Sequence, residues 1–255
     1  MAHQWWGHQI VGGATRGSTV LSETLSQYAA LMAMKESFGA DRMRRFLRYE
    51  LDRYLMGRAL EPKRELPLAE NEHQGYIHYH KGSLVMYQLQ DLIGEDKLNA
   101  VLHQLLADHA FHVAPYPSVT SLTRALRAAL PPAQAHLVDD LFYSIVLFDN
   151  RATSADARRL PDGRYEVTLK AVSSKLRAGE LGDETDVALV DTIEFGVDDS
   201  AGKPLLRERR RVTGRELGVT MVVRGRPAKA GIDPDNKLID RKPDDNLVEI
   251  EHSAP

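Results

Sequence analysis

The sequence of 255 residues predicts an α+β protein in which an all-helical part is followed by a small antiparallel β-sandwich. Up to about residue 150 the apolar residues recur at the three- and four-residue spacing of a helix face. After residue 150 the spacing changes to two, which is typical of half-buried strands. We therefore place a helical part at residues 1–150 and a β-sandwich with a polar tail at residues 151–255.

Glycine residues mark the ends of the first predicted helices. The first helix is predicted to begin at Ser22 and to end at Gly39, because glycine readily takes the left-handed conformation found at helix C termini. By the same argument the second helix begins at Asp41 and ends at Gly57, and an ordered loop follows up to Gly75. Further helices are predicted at residues 80–93, 96–109, 119–130 and 133–147.

Alternating polar and apolar side chains mark three strands in the second part of the chain. They lie at residues 164–170, 191–197 and 217–223, and turn residues such as Pro161-Asp-Gly163 separate them. The string Asp233-Pro-Asp-Asn236 lacks the glycine and the distal glutamate of a calcium-binding loop, so it predicts a turn. Short strands without helical periodicity predict a sandwich of about one hundred residues.

The composition excludes several classes of protein and site. With 33 basic and 36 acidic residues the net charge is −3, so we expect no nucleic-acid partner. The absence of cysteine excludes cysteine-based zinc sites and cysteine nucleophiles. The longest apolar run, residues 28–34, is far shorter than a membrane span, and no signal-peptide pattern opens the chain. These observations do not fix a cellular location.

The segment Ala2-His-Gln-Trp-Trp-Gly-His-Gln9 is the most informative part of the sequence, because it contains both tryptophans of the chain. Judged from its residues alone, it favours an aromatic helix face in a core, with His3 as a core histidine. A metal site is the alternative, and Glu23 is the only carboxylate between His3 and Met34 that could join it.

The same segment resembles the zinc helix of the aminopeptidase N-type gluzincins, which carries HExxH, a Trp-rich continuation and a glutamate on the next helix. By this resemblance Met1-Ala2-His3 ends the motif, so His3 is a zinc ligand, and the first histidine and the general-base glutamate precede Met1. Leu21-Ser-Glu23 resembles the family's W-L-N-E, which implies that Glu23 is a further zinc ligand. The 19 residues between His3 and Glu23 are one more than the family usually has.

A second motif, Tyr79-His-Lys-Gly82, resembles the family's Y-E-K-G, with His80 in place of the glutamate. The resemblance implies that Tyr79 is catalytic and that its hydroxyl binds the oxyanion of the tetrahedral intermediate. Tyr76 competes for this role, and the adjacent Lys81-Gly82 favours Tyr79.

The resemblance implies a thermolysin-like catalytic domain, of which the helical part is the C-terminal subdomain, followed by a β-domain. It also implies a zinc-dependent aminopeptidase that acts on peptides. Strings such as Arg45-Phe-Leu-Arg-Tyr-Glu-Leu51 and Asp140-Leu-Phe142 resemble a bacterial subgroup in which the peptidase follows transporter-like membrane spans. This resemblance therefore implies that relatives are membrane-associated.

With two zinc ligands and no general base, the zinc site of this sequence is incomplete, and we expect no activity from the chain alone. Three explanations stay open. The chain is a C-terminal fragment of a longer protein, or it pairs with a separate N-terminal half. The third explanation is that the chain is a degenerate relative that serves as a non-catalytic interaction module and docks to a membrane transporter.

Four other histidines are candidate metal ligands. His73, His78 and His80 crowd the approach to Tyr79, and a polar rim of the substrate cleft is favoured over a metal cluster. On a continuous helix His8 lies about 140° around the axis from His3, so it is not expected to face the same ion.

Overall fold

The computed structural model describes residues 1–252, and these residues divide into a helical unit and a β unit. The helical unit comprises Met1–Val146 together with the short segment Ala178–Glu184. Among the described residues, the β unit comprises Leu147–Arg177 and residues 185–252. The predicted α+β class is confirmed, because helices make up the first unit and two sheets make up the second.

Six α-helices make up most of the helical unit. Buried leucines such as Leu47 and Leu51 on the second helix form its core, as the helical spacing predicts. Two short π-helical segments, Val20–Thr24 and Tyr76–Lys81, lead directly into the first and third helices. The α-helices are α1 (Leu25–Phe38), α2 (Met43–Leu60), α3 (Gly82–Ile93), α4 (Glu95–His109), α5 (Val119–Ala129) and α6 (His136–Phe142).

The predicted helix ends at Gly39, residue 93 and residue 109 are confirmed, whereas those at Gly57 and residue 147 are wrong. Gly39 follows α1 with a φ of 86° and a ψ of 157°, a positive-φ conformation that favours glycine but differs from the expected left-handed one. The second helix does not end at Gly57 but continues to Leu60. The last helix ends at Phe142 rather than at 147, because the apolar run that starts at Ile145 pairs as a strand.

Gly57 has a packing role instead of a terminating one. A Cβ atom at this position would overlap the Cβ and Cγ atoms of Tyr76, so only glycine lets the second π-helical segment pack this closely against α2. The ring of Tyr76 stacks on the ring of Tyr54 in α2, with centroids 6.2 Å apart.

Within the part of the chain that the structure describes, two sheets form the β unit. In one, the strand order is β3-β2-β1-β9 with β6 also paired to β2; in the other it is β5-β4-β7-β8. The pairs β2–β6, β4–β5, β4–β7 and β7–β8 are antiparallel, and β9 is parallel to β1. The strands are β1 (Ile145–Arg159), β2 (Tyr165–Ala178), β3 (Glu184–Val187), β4 (Asp191–Asp198), β5 (Pro204–Val212), β6 (Glu216–Val223), β7 (Lys229–Ile232), β8 (Leu247–Glu249) and β9 (Glu251–His252).

The three predicted strands correspond to β2, β4 and β6. The predicted turn after Ile232 is also present: the Asn236 amide donates to the Asp233 carbonyl, and both residues have positive φ. The Asp233 carboxylate is buried and accepts hydrogen bonds from the amides of Lys237 and Leu238, which fixes the turn. Within residues 1–252, no helix has both the length and the apolar character that crossing a membrane requires.

The Gly57→Ala substitution is expected to destabilise the protein. An alanine in an exposed helix position would stabilise by about 0.5–1 kcal/mol, but overlap with Tyr76 should cost about 1–3 kcal/mol. Urea denaturation measures the change. Gly214→Ala is the control, because an added Cβ there meets no atom within 4 Å. An unchanged or raised stability of Gly57→Ala would contradict the packing argument.

Candidate metal centre

The N-terminal segment is a series of short turns rather than one continuous helix. Ala2–Gln4 form a single 3₁₀ turn. Trp6 and Ile10 are buried, whereas the side chain of His3 is 48% exposed. The tryptophan thus anchors the segment in the core, and His3 is not the core histidine that the residues alone favoured.

The structure brings together the three side chains predicted for the site: His3 and Tyr79 both contact the same carboxylate oxygen of Glu23. The Nε2 atom of His3 lies 3.4 Å from Oε2 of Glu23. The hydroxyl of Tyr79 donates a hydrogen bond of 2.5 Å to the same Oε2. These contacts join the N-terminal segment to both π-helical segments, because Glu23 lies in the first and Tyr79 in the second.

The two π-helical segments are tied together beside these residues. The hydroxyl of Thr24, the neighbour of Glu23, donates a hydrogen bond of 2.6 Å to the carbonyl of His78, the neighbour of Tyr79. A Cβ atom at Gly82 would overlap the Thr24 side chain, so glycine is required for the approach. This contact explains why a glycine follows the Tyr-His-Lys sequence. Single π turns are frequent at functional sites.

The donor set fits part of a zinc site. Imidazole nitrogen and carboxylate oxygen are both common zinc ligands, each about 2.0–2.1 Å from the ion, and two such ligands at a tetrahedral angle are about 3.3–3.4 Å apart. The observed separation of 3.4 Å between His3 and Glu23 matches this value. Among residues 1–252, however, no group of three histidine or carboxylate side chains is arranged to hold a metal ion.

The other histidines do not complete the site. His78 is buried, its Nδ1 lies 3.4 Å from Oδ1 of Asn71, and burial lowers its pKa to about 4. The Nδ1 of His80 contacts Oε2 of the buried Glu50 at 2.6 Å. His73 and His8 are exposed. The prediction that His78 lies on the polar rim of a substrate cleft is therefore wrong, because its side chain is buried.

A buried ionic network that the sequence did not reveal supports the second π-helical segment. Glu65 accepts hydrogen bonds from the Tyr54 hydroxyl at 2.5 Å and from Nε of Arg58 at 2.6 Å. Its Oε1 also lies 3.5 Å from Nζ of Lys81, whose side chain is almost fully buried. Burial lowers the pKa of Lys81, and the Glu65 carboxylate opposes that shift. In the sequence, only the motif residue Lys81, within Lys81-Gly82, indicated a member of this network.

Hydrogen bonding to the Glu23 carboxylate raises the pKa of Tyr79 to about 12. Replacing Glu23 with Gln removes the charge that holds the phenol proton. We therefore expect the Tyr79 pKa to fall toward the ordinary tyrosine value of about 10. Ultraviolet difference titration against Tyr79→Phe isolates this residue among the nine tyrosines. An unchanged Tyr79 titration in Glu23→Gln would show that Glu23 does not control the phenol.

The buried neutral His78 makes the stability of the protein depend on pH. Its pKa is about 4 in the folded chain and about 6.5 in the unfolded chain, so the unfolded state takes up the proton first as pH falls. Stability should therefore decrease between pH 6.5 and 4, by at most about 1.4 kcal/mol per pH unit. The His78→Gln variant should show a smaller decrease in urea denaturation over this range. Equal slopes for both proteins would contradict the assignment.

The chain is similar to known peptidases in sequence and in fold. The protein family described as Peptidase family M1 domain matches residues 1–139. The crystal structure of Legionella pneumophila aminopeptidase A in complex with aspartic acid is similar in fold, with a TM-score of 0.52 and 16% identity. That match covers 99% of this chain and 26% of the Legionella chain.

A mutant M1 zinc metallopeptidase from Deinococcus radiodurans, bound to a Tyr-Ser-Ala substrate, matches with 25% identity and a TM-score of 0.42. This match covers 55% of this chain and 31% of that one, so the chain spans less than a third of either enzyme. No curated protein matches the chain. Because the family match includes 139 of the 255 residues, more than half, the chain belongs to peptidase family M1.

Proposed function

We propose that this chain provides part of the active site of a zinc-dependent aminopeptidase, which hydrolyses N-terminal peptide bonds when its metal site is complete. The convergence of His3, Glu23 and Tyr79 on one carboxylate oxygen supports this proposal, because it combines two zinc-type ligands with a phenol donor. Membership of peptidase family M1 supports it independently.

Each of the three residues has a distinct role in this proposal. His3 and Glu23 would hold the zinc ion, which when bound polarises the scissile carbonyl and activates water. Tyr79 would exchange its hydrogen bond to Glu23 for one to the substrate oxygen, and so stabilise the charge that develops there. A tyrosine with an ordinary pKa of about 10 is protonated at neutral pH, as this donor role requires.

The remaining histidine ligand and the general base would come from residues outside this sequence. Residues 1–252 provide His3 and Glu23 but no third metal ligand beside them. The supplying residues would belong either to an adjoining segment of a longer protein or to a separate chain. We accordingly propose that the chain alone is inactive, and that a peptide is the substrate of the completed enzyme.

Zinc binding tests the metal ligands directly. Competition with a chromophoric chelator should show that His3→Ala and Glu23→Gln each weaken Zn²⁺ binding at least about 10-fold, because each removes one of two protein ligands. His8→Ala is the matched control and should bind like the wild type. Tyr79→Phe should also keep its zinc affinity. Equal affinities of the wild type and His3→Ala would reject the site.

The same variants test the reaction. The chain extended by a segment that completes HExxH should release the first residue of an unblocked peptide, and N-acetylation of that peptide should abolish release. Tyr79→Phe should lower kcat about 10²–10³-fold, the usual cost of losing an oxyanion donor. A wild-type chain that binds no zinc and remains inactive after extension would favour the non-catalytic interaction module.

A further inference from the structure

The imidazole ring of His3 is held on the side away from Glu23 by two oxygen atoms of the chain. Its Nδ1 lies 3.1 Å from the carbonyl oxygen of Trp6 and 3.0 Å from the hydroxyl oxygen of Ser26. On the opposite side of the ring, Nε2 lies 3.4 Å from Oε2 of Glu23. The ring is therefore fixed from both sides.

The contacts determine which ring nitrogen carries the proton in neutral His3. A carbonyl oxygen can only accept, so the Trp6 contact requires a proton on Nδ1. The competing tautomer would donate from Nε2 to Glu23, but 3.4 Å exceeds the usual N–H···O range of about 2.7–3.2 Å, whereas 3.1 Å lies within it. The Glu23 oxygen already accepts from Tyr79. Neutral His3 thus presents the Nε2 lone pair toward Glu23.

Ser26 is built into the same stretch of chain as Glu23. It lies three residues further along, in the first turn of α1, so both side chains face the same side of the segment. Its side chain is buried, with 7% exposure. Because Nδ1 supplies the proton, the Ser26 hydroxyl acts as the acceptor of this contact.

We infer that Ser26 is a positioning residue for His3: its hydroxyl, together with the Trp6 carbonyl, orients the ring so that Nε2 faces the space shared with Glu23. This inference rests on the proposed function for its consequence in metal binding. Ser26 itself holds no metal. Residues that support a ligating histidine in this way typically contribute about 10–100-fold to metal affinity.

Two variants and a control separate positioning from general stability. Ser26→Ala removes the acceptor, and its Zn²⁺ affinity should fall about 10-fold or more. Ser26→Thr keeps a hydroxyl and should restore most of that affinity. Ser121→Ala is the control, because the Ser121 hydroxyl accepts from the Ser118 amide at the start of α5 and belongs to no contact of His3.

A second readout needs no metal. Long-range ¹H–¹⁵N NMR of the metal-free chain, at a pH where the ring is neutral, reports which nitrogen of His3 is protonated. The wild type should show the Nδ1–H tautomer. Ser26→Ala should shift the population toward Nε2–H, since the Trp6 carbonyl is then the only remaining acceptor, and Ser26→Thr should reverse the shift.

The outcomes distinguish this inference from the proposed function. A wild-type Nε2–H tautomer, or a Ser26→Ala spectrum identical to the wild type, overturns the role of Ser26 even if zinc binds. If the tautomer shifts as expected but neither the wild type nor the chain extended to complete HExxH binds zinc, the positioning is upheld and the proposed function fails. If Ser26→Ala does not fold, the wild-type tautomer and the Ser26→Thr affinity still decide.

Discussion

The hydrogen bond from the Thr24 hydroxyl to the His78 carbonyl connects the two π-helical segments, and the candidate metal centre depends on it. Glu23 and Tyr79 are the immediate neighbours of these two residues, so joining Thr24 to His78 brings the carboxylate and the phenol within 2.5 Å. The approach is sterically possible only because Gly82 has no side chain to meet Thr24. Because a backbone carbonyl and a short hydroxyl set this geometry, the side chains of Glu23 and Tyr79 have little freedom to move apart.

The second π-helical segment is fixed from its other side by the buried charges around Glu65. Lys81, the residue directly before α3, lies 3.5 Å from Glu65. Tyr54 and Arg58 in α2 donate hydrogen bonds to the same carboxylate. Buried ion pairs add little net stability, but breaking one leaves an uncompensated charge and is costly. The network therefore acts mainly by penalising any displacement of the segment that carries Tyr79. His80, paired with Glu50, adds a further attachment to α2.

Burial of Trp6 holds the N-terminal segment in place. Trp6 is buried and its carbonyl contacts the His3 ring, so one residue anchors the segment and orients the proposed ligand. Ser26, three residues after Glu23, provides a second contact to the His3 ring through its hydroxyl. The helical unit thus contains every residue assigned a role in the proposed chemistry, and none lies in the β unit.

The sequence by itself determined the class of the fold, and the resemblance of short motifs to a known family pointed to three candidate site residues. Periodicity separated helices from strands because side-chain spacing follows directly from backbone geometry, and the two short motifs singled out His3, Glu23 and Tyr79. It failed at Gly57 and at Ile145, because a glycine can serve packing as well as a helix end, and an apolar run fits either a helix or a strand.

Only the tertiary structure decided how these residues meet. Local pattern carries no information about partners distant in the chain, such as Glu65 for Lys81 or Thr24 for His78. It also could not separate the histidines near Tyr79, since burial of His78 and pairing of His80 depend on which helix packs against them. The 3.4 Å separation between His3 and Glu23, and the contact of His3 with Ser26, exist only once the N-terminal segment packs against the stretch that carries Glu23 and Ser26.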